Sequence, residues 1–141
     1  MKKLLLLLSI IIAVSNAAIF VQYYPSNKYS NELRITQAIA SSSPVRGQYR
    51  TIRTCSIAKS EVSPASFTYE VMAGTKNGET QTFESGTKNF VAGTVISAGS
   101  NFCFSLNFKV PEDVEKQFYV KFDVFNADQE GLTNFFVLLT F

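Results

Sequence analysis

The stretch Asn101-Phe-Cys-Phe-Ser-Leu-Asn-Phe-Lys-Val110 decides the fold of this chain. Its apolar residues occupy every second position: Phe102, Phe104, Leu106, Phe108 and Val110. Side chains alternate between the two faces of a β-strand, so the pattern predicts a strand with one apolar and one polar face. At helical spacing the same phenylalanines would scatter around the axis, which disfavours a helix. Pro111 has no backbone N–H to donate and should end the strand.

Two more apolar runs follow that stretch. In the first of them, Phe118, Val120, Phe122 and Val124 alternate with Tyr119, Lys121, Asp123 and Phe125, which predicts a second strand. The segment Asn126–Gly131 has the composition of a turn. The last run, Phe135–Phe141, has apolar residues at both the odd and the even positions of the strand, that is, at both parities. We therefore expect a strand that is buried on both faces.

Turn signals punctuate the rest of the chain at short intervals. Asn77-Gly78 is the strongest hairpin signal, because both residues tolerate positive φ, and it should join a strand over Phe67–Met72 to one over Glu79–Phe83. Ser85-Gly86 predicts another turn directly afterwards. The pattern over Leu33–Ile39 fits either a strand or a helical turn.

These segments add up to about eight or nine short strands with no convincing helix. The organisation predicts an all-β domain, specifically a two-sheet antiparallel sandwich with an immunoglobulin-like layout. A closed β-barrel is the alternative.

The N-terminal segment has the three parts of a secretory signal peptide. Two lysines precede the apolar run Leu4–Val14, and Ser15-Asn16-Ala17 provides small residues for cleavage. We therefore expect residues 1–17 to be a signal peptide and residues 18–141 to form a single β-sandwich domain of a secreted protein. A retained N-terminal helix is the alternative, although the run is too short for a membrane anchor.

The charge of the chain argues against a nucleic-acid partner. The 13 Lys and Arg residues include two in the leader, so the remaining 11 balance the 11 Asp and Glu residues. A neutral domain lacks the basic surface that drives nucleic-acid binding. The segment Arg34–Lys59 nevertheless carries only basic charges, while Glu112–Glu130 is net acidic. This asymmetry indicates either a solvated face or a surface around Arg46–Arg53 that makes transient contact with a membrane or an anionic head group.

The chain has two cysteines, Cys55 and Cys103. In a secreted protein they can form one disulfide, which would close a loop of roughly 50 residues and contribute roughly 4 kcal/mol in the chain-entropy model. Cys103 has the opposite parity to the phenylalanines, so the bridge should lie on the polar face of the strand or at its margin. The alternative is two free buried thiols.

The chain contains no histidine. The commonest general base, triad partner and zinc ligand are therefore all missing. The carboxylates fall in turns and at polar strand positions, and no spacing singles out a pair. We expect a non-enzymatic protein with no catalytic residues, no cofactor and no metal site.

Phenylalanine dominates the aromatic residues, with 13 Phe against 6 Tyr and no Trp. A phenylalanine side chain has no polar group and prefers a dry interior. The inward phenylalanines should form either an ordinary core or the wall of an apolar pocket, and the second case requires that the two sheets stand apart. The candidate ligand-binding residues are Phe102, Phe104, Phe108, Phe118, Phe122 and Phe136.

Four of the segments resemble a known family. The run Val95–Phe102, the aromatic strand Phe104–Pro111, the segment Tyr119–Phe122 and the turn Asp128–Leu132 are similar to the C-terminal half of the ML lipid-recognition domains. That family includes secreted sterol carriers of the Niemann-Pick type C class and phospholipid transfer proteins. The resemblance implies an immunoglobulin-like sandwich that holds one lipid between its sheets. The cysteines of this chain do not stand at the positions usual in the family.

Two functional hypotheses follow from these observations. The first is a secreted binding protein that holds a lipid or another apolar small molecule between its two sheets. The second is an adhesion or carbohydrate-binding sandwich that acts through its surface, where Tyr23, Tyr24 and Tyr49 would be the contacts.

Overall fold

The computed structural model describes residues 18–26, 28–29, 31–75 and 77–141. The predicted signal peptide, residues 1–17, lies outside the described residues. No helix in the described part of the chain has the length and apolarity that crossing a membrane requires.

The described residues form nine strands in two antiparallel sheets. The four-stranded sheet has the order β1-β3-β4-β7, and the five-stranded sheet has the order β2-β9-β8-β5-β6. The prediction of an all-β, two-sheet antiparallel immunoglobulin-like sandwich is confirmed, and the closed barrel is wrong because each sheet ends in its own edge strands. The strands are β1 (Ile19–Phe20), β2 (Gln22–Pro25), β3 (Leu33–Ala40), β4 (Tyr49–Ala58), β5 (Pro64–Gly74), β6 (Thr80–Asn89), β7 (Asn101–Lys109), β8 (Gln117–Asn126) and β9 (Gly131–Thr140).

Strand β7 has the two faces that its alternating sequence predicts. Phe104, Leu106 and Phe108 are buried between the sheets, while the residues of the other parity face outwards. The strand ends at Lys109, two residues before the buried Pro111, as expected of a residue that cannot donate to the ladder.

Strand β9 differs from its predicted burial. Phe135, Val137 and Leu139 are buried against the other sheet, whereas Phe136 and Leu138 are only half-buried. The expectation of burial on both faces is therefore wrong for this part of the strand. A two-layer sandwich covers each sheet from one side, and the outer side of β9 receives only partial cover from neighbouring side chains.

The Asn77-Gly78 hairpin is confirmed. Gly78 has φ +79, and its N–H donates to the Thr75 carbonyl at 3.1 Å where β5 turns into β6. The turn predicted at Ser85-Gly86 is wrong, because both residues lie inside β6. A Cβ at Gly86 would come within 3.0 Å of the ring of Tyr69, which is directly opposite on β5. Glycine at this position gives space to an aromatic ring, and the strand continues.

Strand β3 resolves the segment whose pattern was ambiguous. Leu33 and Ile35 point inwards at one parity, and Ala38 and Ala40 point inwards at the other. A register shift between Ile35 and Gln37 separates the two halves. A β-bulge adds one residue and so changes the parity, which makes a strand look irregular in sequence.

The disulfide predicted between Cys55 and Cys103 is present. The two residues are directly opposite each other on β4 and β7, with a Cα–Cα distance of 4.1 Å. Such close approach is typical of a directly facing antiparallel pair. Both cysteines are partly exposed and lie on the outer face of the four-stranded sheet, as their parity predicts. The bridge therefore fastens the edge strand β7 to its own sheet.

The two lateral sides of the sandwich differ. On one side, Cα atoms of β3 come within 8 Å of those of β2 and β9, so the sheets are in close contact there. On the other side the edge strands are β6 and β7, which belong to different sheets and are not paired with each other. We call the gap between β6 and β7 the seam.

Candidate functional site

An aromatic cleft of about 420 Å³ opens at the seam. Lys88–Val91 lie along one of its sides, where β6 ends, and Phe104–Asn107 of β7 lie along the other. Its apolar lining consists of Phe67, Phe90, Val91, Phe104 and Leu106. Val91 is 82% exposed and stands at the mouth of the cleft.

The wall of this cleft is the outer part of a cluster of phenylalanine rings. Phe104 of β7 lies 4.9 Å from Phe67 and 5.9 Å from Phe122, measured between ring centroids. Phe122 stacks on Phe135 at 4.9 Å. Because β7 belongs to one sheet and the other three residues belong to the opposite sheet, the rings touch across the gap. This part of the interior is occupied by side chains, so a molecule bound at the cleft would have to lie against these rings or displace them.

The structure brings together only some of the predicted ligand-binding residues. Phe102, Phe104 and Phe122 belong to the ring cluster at the seam, and Phe102 is half-buried beside Phe90 at 5.1 Å. Phe108 and Phe118 are fully buried, and their ring centroids are 6.0 Å apart. Phe118 also contacts the ring of Phe141.

Phe136 is not an inward residue. Its ring lies 6.4 Å from that of Tyr119, and both side chains are half-buried on the outer face of the five-stranded sheet. The prediction took the wrong parity in a run where both parities are apolar. Its neighbour Phe135 has the inward position and stacks on Phe122.

Sequence reasoning did not single out Phe67, Phe90 or Phe135 as site residues. Phe67 carried a usable signal, because it alternates with polar residues in β5 as clearly as Phe104 does in β7. Phe90 lies just beyond β6, and no pattern in its own segment indicates that it packs on Phe102 and Phe104.

A pair of polar side chains also lies along the seam. Tyr69 of β5 is 8% exposed, and Glu84 of β6 lies two pairs further along the same ladder, opposite Val71. The Oε2 atom of Glu84 is buried and has no hydrogen-bond partner among the described residues. Burial raises the pKa of the Tyr69 hydroxyl, and the neighbouring charge of Glu84 and a hydrogen bond to it raise this pKa further.

Two further clefts lie nearby. One of about 240 Å³ continues along the seam and is bordered by Phe83 and Glu84 on one side and by Lys109–Asp113 on the other. Another of about 460 Å³ lies at the end of the sandwich, where Gln81 and Tyr119 face the segment Asp113–Gln117. Its lining is mostly polar, so the seam clefts are the better candidates for an apolar ligand.

The arginines of the basic segment do not face the seam. Arg46 donates from Nε to the Val114 carbonyl at 2.9 Å, and its guanidinium lies 4.0 Å from the ring centroid of Phe141. Arg50 donates from Nε to the Ser43 carbonyl at 3.0 Å. Arg53 is exposed on the outer face of the four-stranded sheet. These contacts give Arg46 and Arg50 structural roles at the end of the sandwich.

Within the described residues, no group of three or more His, Cys, Asp or Glu side chains is placed to hold a metal ion.

Comparison with known proteins supports the fold. No protein-family model matches the chain, and no curated protein matches it either. Among solved structures, a Niemann-Pick type C2 protein from the Japanese carpenter ant aligns with a TM-score of 0.53 at 9% identity, covering 83% of this chain and 98% of that one. The C-terminal domain of wzt aligns with a TM-score of 0.57 at 11% identity, covering 85% of this chain and 77% of that one.

Chicken MD-1 complexed with lipid IVa also aligns, at 10% identity over 86% of this chain and 99% of that one. Its TM-score of 0.43 is too low to support a conclusion about this chain. The resemblance to the Niemann-Pick type C class predicted from the C-terminal segments is thus confirmed at the level of the fold. At these identities the similarity concerns the fold alone.

Proposed function

We propose that this protein is a secreted, non-enzymatic carrier that binds a lipid or another apolar small molecule at the seam between its two sheets. The observation that carries the proposal is the aromatic cleft of about 420 Å³, which is continuous with rings that reach into the interior. Its volume falls within the range of about 300–1,000 Å³ that is usual for small-molecule sites. The sequence resemblance to the ML lipid-recognition domains points to the same class of ligand.

The rings that would admit a ligand are the least buried members of the cluster. Phe90 and Phe102 are half-buried and in edge-to-face contact at 5.1 Å, whereas Phe122 and Phe135 are fully buried. Rotation of the two outer rings enlarges the cleft inwards without exposing the stacked inner pair. Binding would then gain about 0.8 kcal/mol for each methylene that leaves water, before the cost of moving the rings.

Secretion forms part of the proposal. The leader of residues 1–17 and the disulfide between Cys55 and Cys103 both fit an oxidising compartment. Mass spectrometry of protein recovered from the medium of an expressing eukaryotic or bacterial host should give a mature chain that begins at Ala18. Recovery of the full-length chain inside the cells, with free thiols, would contradict this part.

Transient contact with a membrane surface is the way in which such a carrier would load and unload. The segment around the mouth supports this step, because Val91 and Val95 are 82% and 56% exposed. Replacement of Val95, which does not line the cleft, with aspartate should slow transfer of a fluorescent lipid between vesicles and leave affinity for the lipid in detergent unchanged. Unaltered transfer would remove this surface from the proposal.

The test of the main proposal is extraction of natively purified protein with organic solvent, followed by mass spectrometry, together with uptake of a fluorescent long-chain probe. We expect a bound apolar molecule or saturable uptake, and we expect uptake to weaken when Phe104 is replaced with aspartate. The matched control is Ser105→Asp, which adds the same charge on the outer parity of β7. A clean extract together with no saturable uptake would refute the proposal.

A second candidate is an adhesion or carbohydrate-binding protein that acts through its surface. The observation in its favour is the exposure of Tyr24 and Tyr49, at 52% and 62%. Tyr23, which was also expected to be a surface contact, is half-buried against the core and does not contribute an exposed ring. A pull-down on insoluble polysaccharide tests this candidate, which requires binding that is lost in the Tyr24→Ala or Tyr49→Ala variant.

A further inference from the structure

One carboxylate oxygen at the seam is buried without a partner. Glu84 lies at the register shift of the β5–β6 ladder and is opposite Val71, a fully buried inward residue. Its side chain therefore starts from the face of β6 that looks into the sandwich. Its Oε2 atom is buried and accepts no hydrogen bond from any described residue. An acceptor that is kept from water and left unpaired is a strong attractor for a donor.

Tyr69 is the polar neighbour of this carboxylate. The ring of Tyr69 lies across Gly86, where a Cβ would come within 3.0 Å of it, so the glycine allows the ring to reach towards the sheet edge. The hydroxyl of Tyr69 lies next to Glu84, and their interaction contributes to the raised pKa of Tyr69. Oε2 has no partner among the described residues, so it is the oxygen with which a donor arriving along the seam would pair.

The apolar and polar parts of the seam lie in one line. Lys88 borders the aromatic cleft, and Glu84 borders the next cleft along the same strand. The four-residue separation corresponds to about 13 Å along a β-strand. An extended chain can therefore contact Phe67 and Phe104 with its apolar part while its polar end reaches Glu84.

We propose that the seam selects apolar ligands whose polar end is a hydrogen-bond donor, a hydroxyl or an amine, and discriminates against ligands that end in a carboxylate. Glu84 is the residue that makes this selection. The inference rests on the proposed function, because it names the ligand class of the same seam.

Two lysines near the seam argue for the opposite preference and are weaker. Lys109 is half exposed and lies 4.0 Å from Glu112, and Lys88 is exposed. A solvated lysine contributes little to binding an anion, because the ammonium is already hydrated and is screened by salt. A buried carboxylate oxygen has lost water, so a donor that reaches it gains more and an anion is repelled.

The experiment compares three probes of equal chain length, dodecanol, dodecylamine and dodecanoate, in competition with a fluorescent probe on the full mature chain. We expect dodecanol and dodecylamine to bind at least about tenfold more tightly than dodecanoate, the ratio that follows from pairing one buried acceptor. In Glu84→Gln the amide can donate, so the preference over dodecanoate should largely disappear. The control Glu112→Gln, at an exposed carboxylate of the same cleft, should keep it.

The outcomes separate the two proposals. If all three probes bind to the wild type with equal affinity, or if Glu84→Gln keeps the preference, the inference on selectivity is overturned and the carrier function stands. If none of the probes binds, the carrier function fails and the inference fails with it. The ranking of the probes on the wild type decides the question even if Glu84→Gln does not fold.

Discussion

Replacing Phe104 with alanine tests whether the ring cluster is the accessible part of the interior. Phe104 contacts the rings of Phe67, Phe90, Phe102, Phe122 and Phe135, and it is 8% exposed. Loss of a buried phenylalanine side chain costs about 3–5 kcal/mol, and the cost grows with the volume that stays empty. The space left by Phe104→Ala opens onto the seam cleft and can collapse or fill. We therefore expect a loss of stability of about 3 kcal/mol.

Phe118→Ala is the matched control. Phe118 lies near the start of β8 and is fully buried between Phe108 and Phe141. It does not line the seam clefts. Its removal leaves a closed apolar cavity, so the loss of stability should be about 5 kcal/mol. Urea denaturation of both variants measures the two values.

Ligand rescue then separates the two sites. Benzene is small enough to enter either hole and should stabilise both variants. Dodecanol can extend from the seam into the space left by Phe104→Ala but cannot fit into the closed hole of Phe118→Ala. At a hundredfold excess over its Kd, a ligand adds about 2.7 kcal/mol, which restores most of the loss expected for Phe104→Ala. If dodecanol stabilised Phe118→Ala as strongly as Phe104→Ala, relative to wild type, the assignment of the seam as the entrance would be refuted.

Three more predictions concern stability. Thr54 Oγ1 is buried without a partner among the described residues, so Thr54→Val should be neutral or stabilise the fold by up to about 1 kcal/mol. Ser56→Ala removes a hydrogen bond to the Phe102 carbonyl at 2.9 Å and should cost about 1 kcal/mol. Urea midpoints measure both variants, and a clear loss of stability for Thr54→Val would contradict the reasoning. The double variant Cys55→Ala/Cys103→Ala should lose about 4 kcal/mol, since the bridge spans 48 residues, and a loss below about 1 kcal/mol in the same assay would contradict the chain-entropy account. The pKa of Tyr69 is raised in the folded state, so folded Tyr69 keeps its proton above pH 10, where the unfolded chain loses this proton. The stability that Tyr69 contributes is therefore fully present below pH 10 and falls as the pH rises above 10. Tyr69→Phe should flatten this fall in a plot of stability against pH, and parallel curves for the two proteins would show that Tyr69 does not cause it.

The parts of the fold that were predictable are those encoded by neighbouring residues. The alternation in β7 and β8, the turn at Asn77-Gly78 and the strand end before Pro111 each depend on a few consecutive positions. The disulfide was predictable because only one pairing of two cysteines exists, and the parity of Cys103 correctly placed it on the outer face.

The errors arise where the local pattern allows two answers. In β9 both parities are apolar, so the sequence could not tell Phe135 from Phe136, and only the ring of Phe122 across the ladder decides between them. Gly86 has the composition of a turn, yet its role depends on Tyr69, which is 17 residues earlier in the chain. Local composition contains no information about such a partner.

The polar part of the seam was not within reach of the sequence. The pairs next to the Asn77-Gly78 turn have a register that would place Val71 opposite Phe83. A register shift between Val71 and Met72 moves the partners by one residue, and as a result Val71 faces Glu84. A turn fixes the register of a hairpin only as far as the first bulge, so the turn signal did not imply that Tyr69 and Glu84 lie on one face.

The seam can open without breaking the backbone ladders, and this follows from how the strands are connected. Strand β7 is paired to β4 along its whole length and is linked to it by the disulfide, while β6 is paired to β5. The two edge strands share no ladder, so separating them breaks only side-chain contacts such as that between Phe90 and Phe102. Side-chain contacts are lost and regained far more easily than a row of backbone hydrogen bonds, so the seam is where the sandwich opens at the least cost and where we propose that a ligand enters.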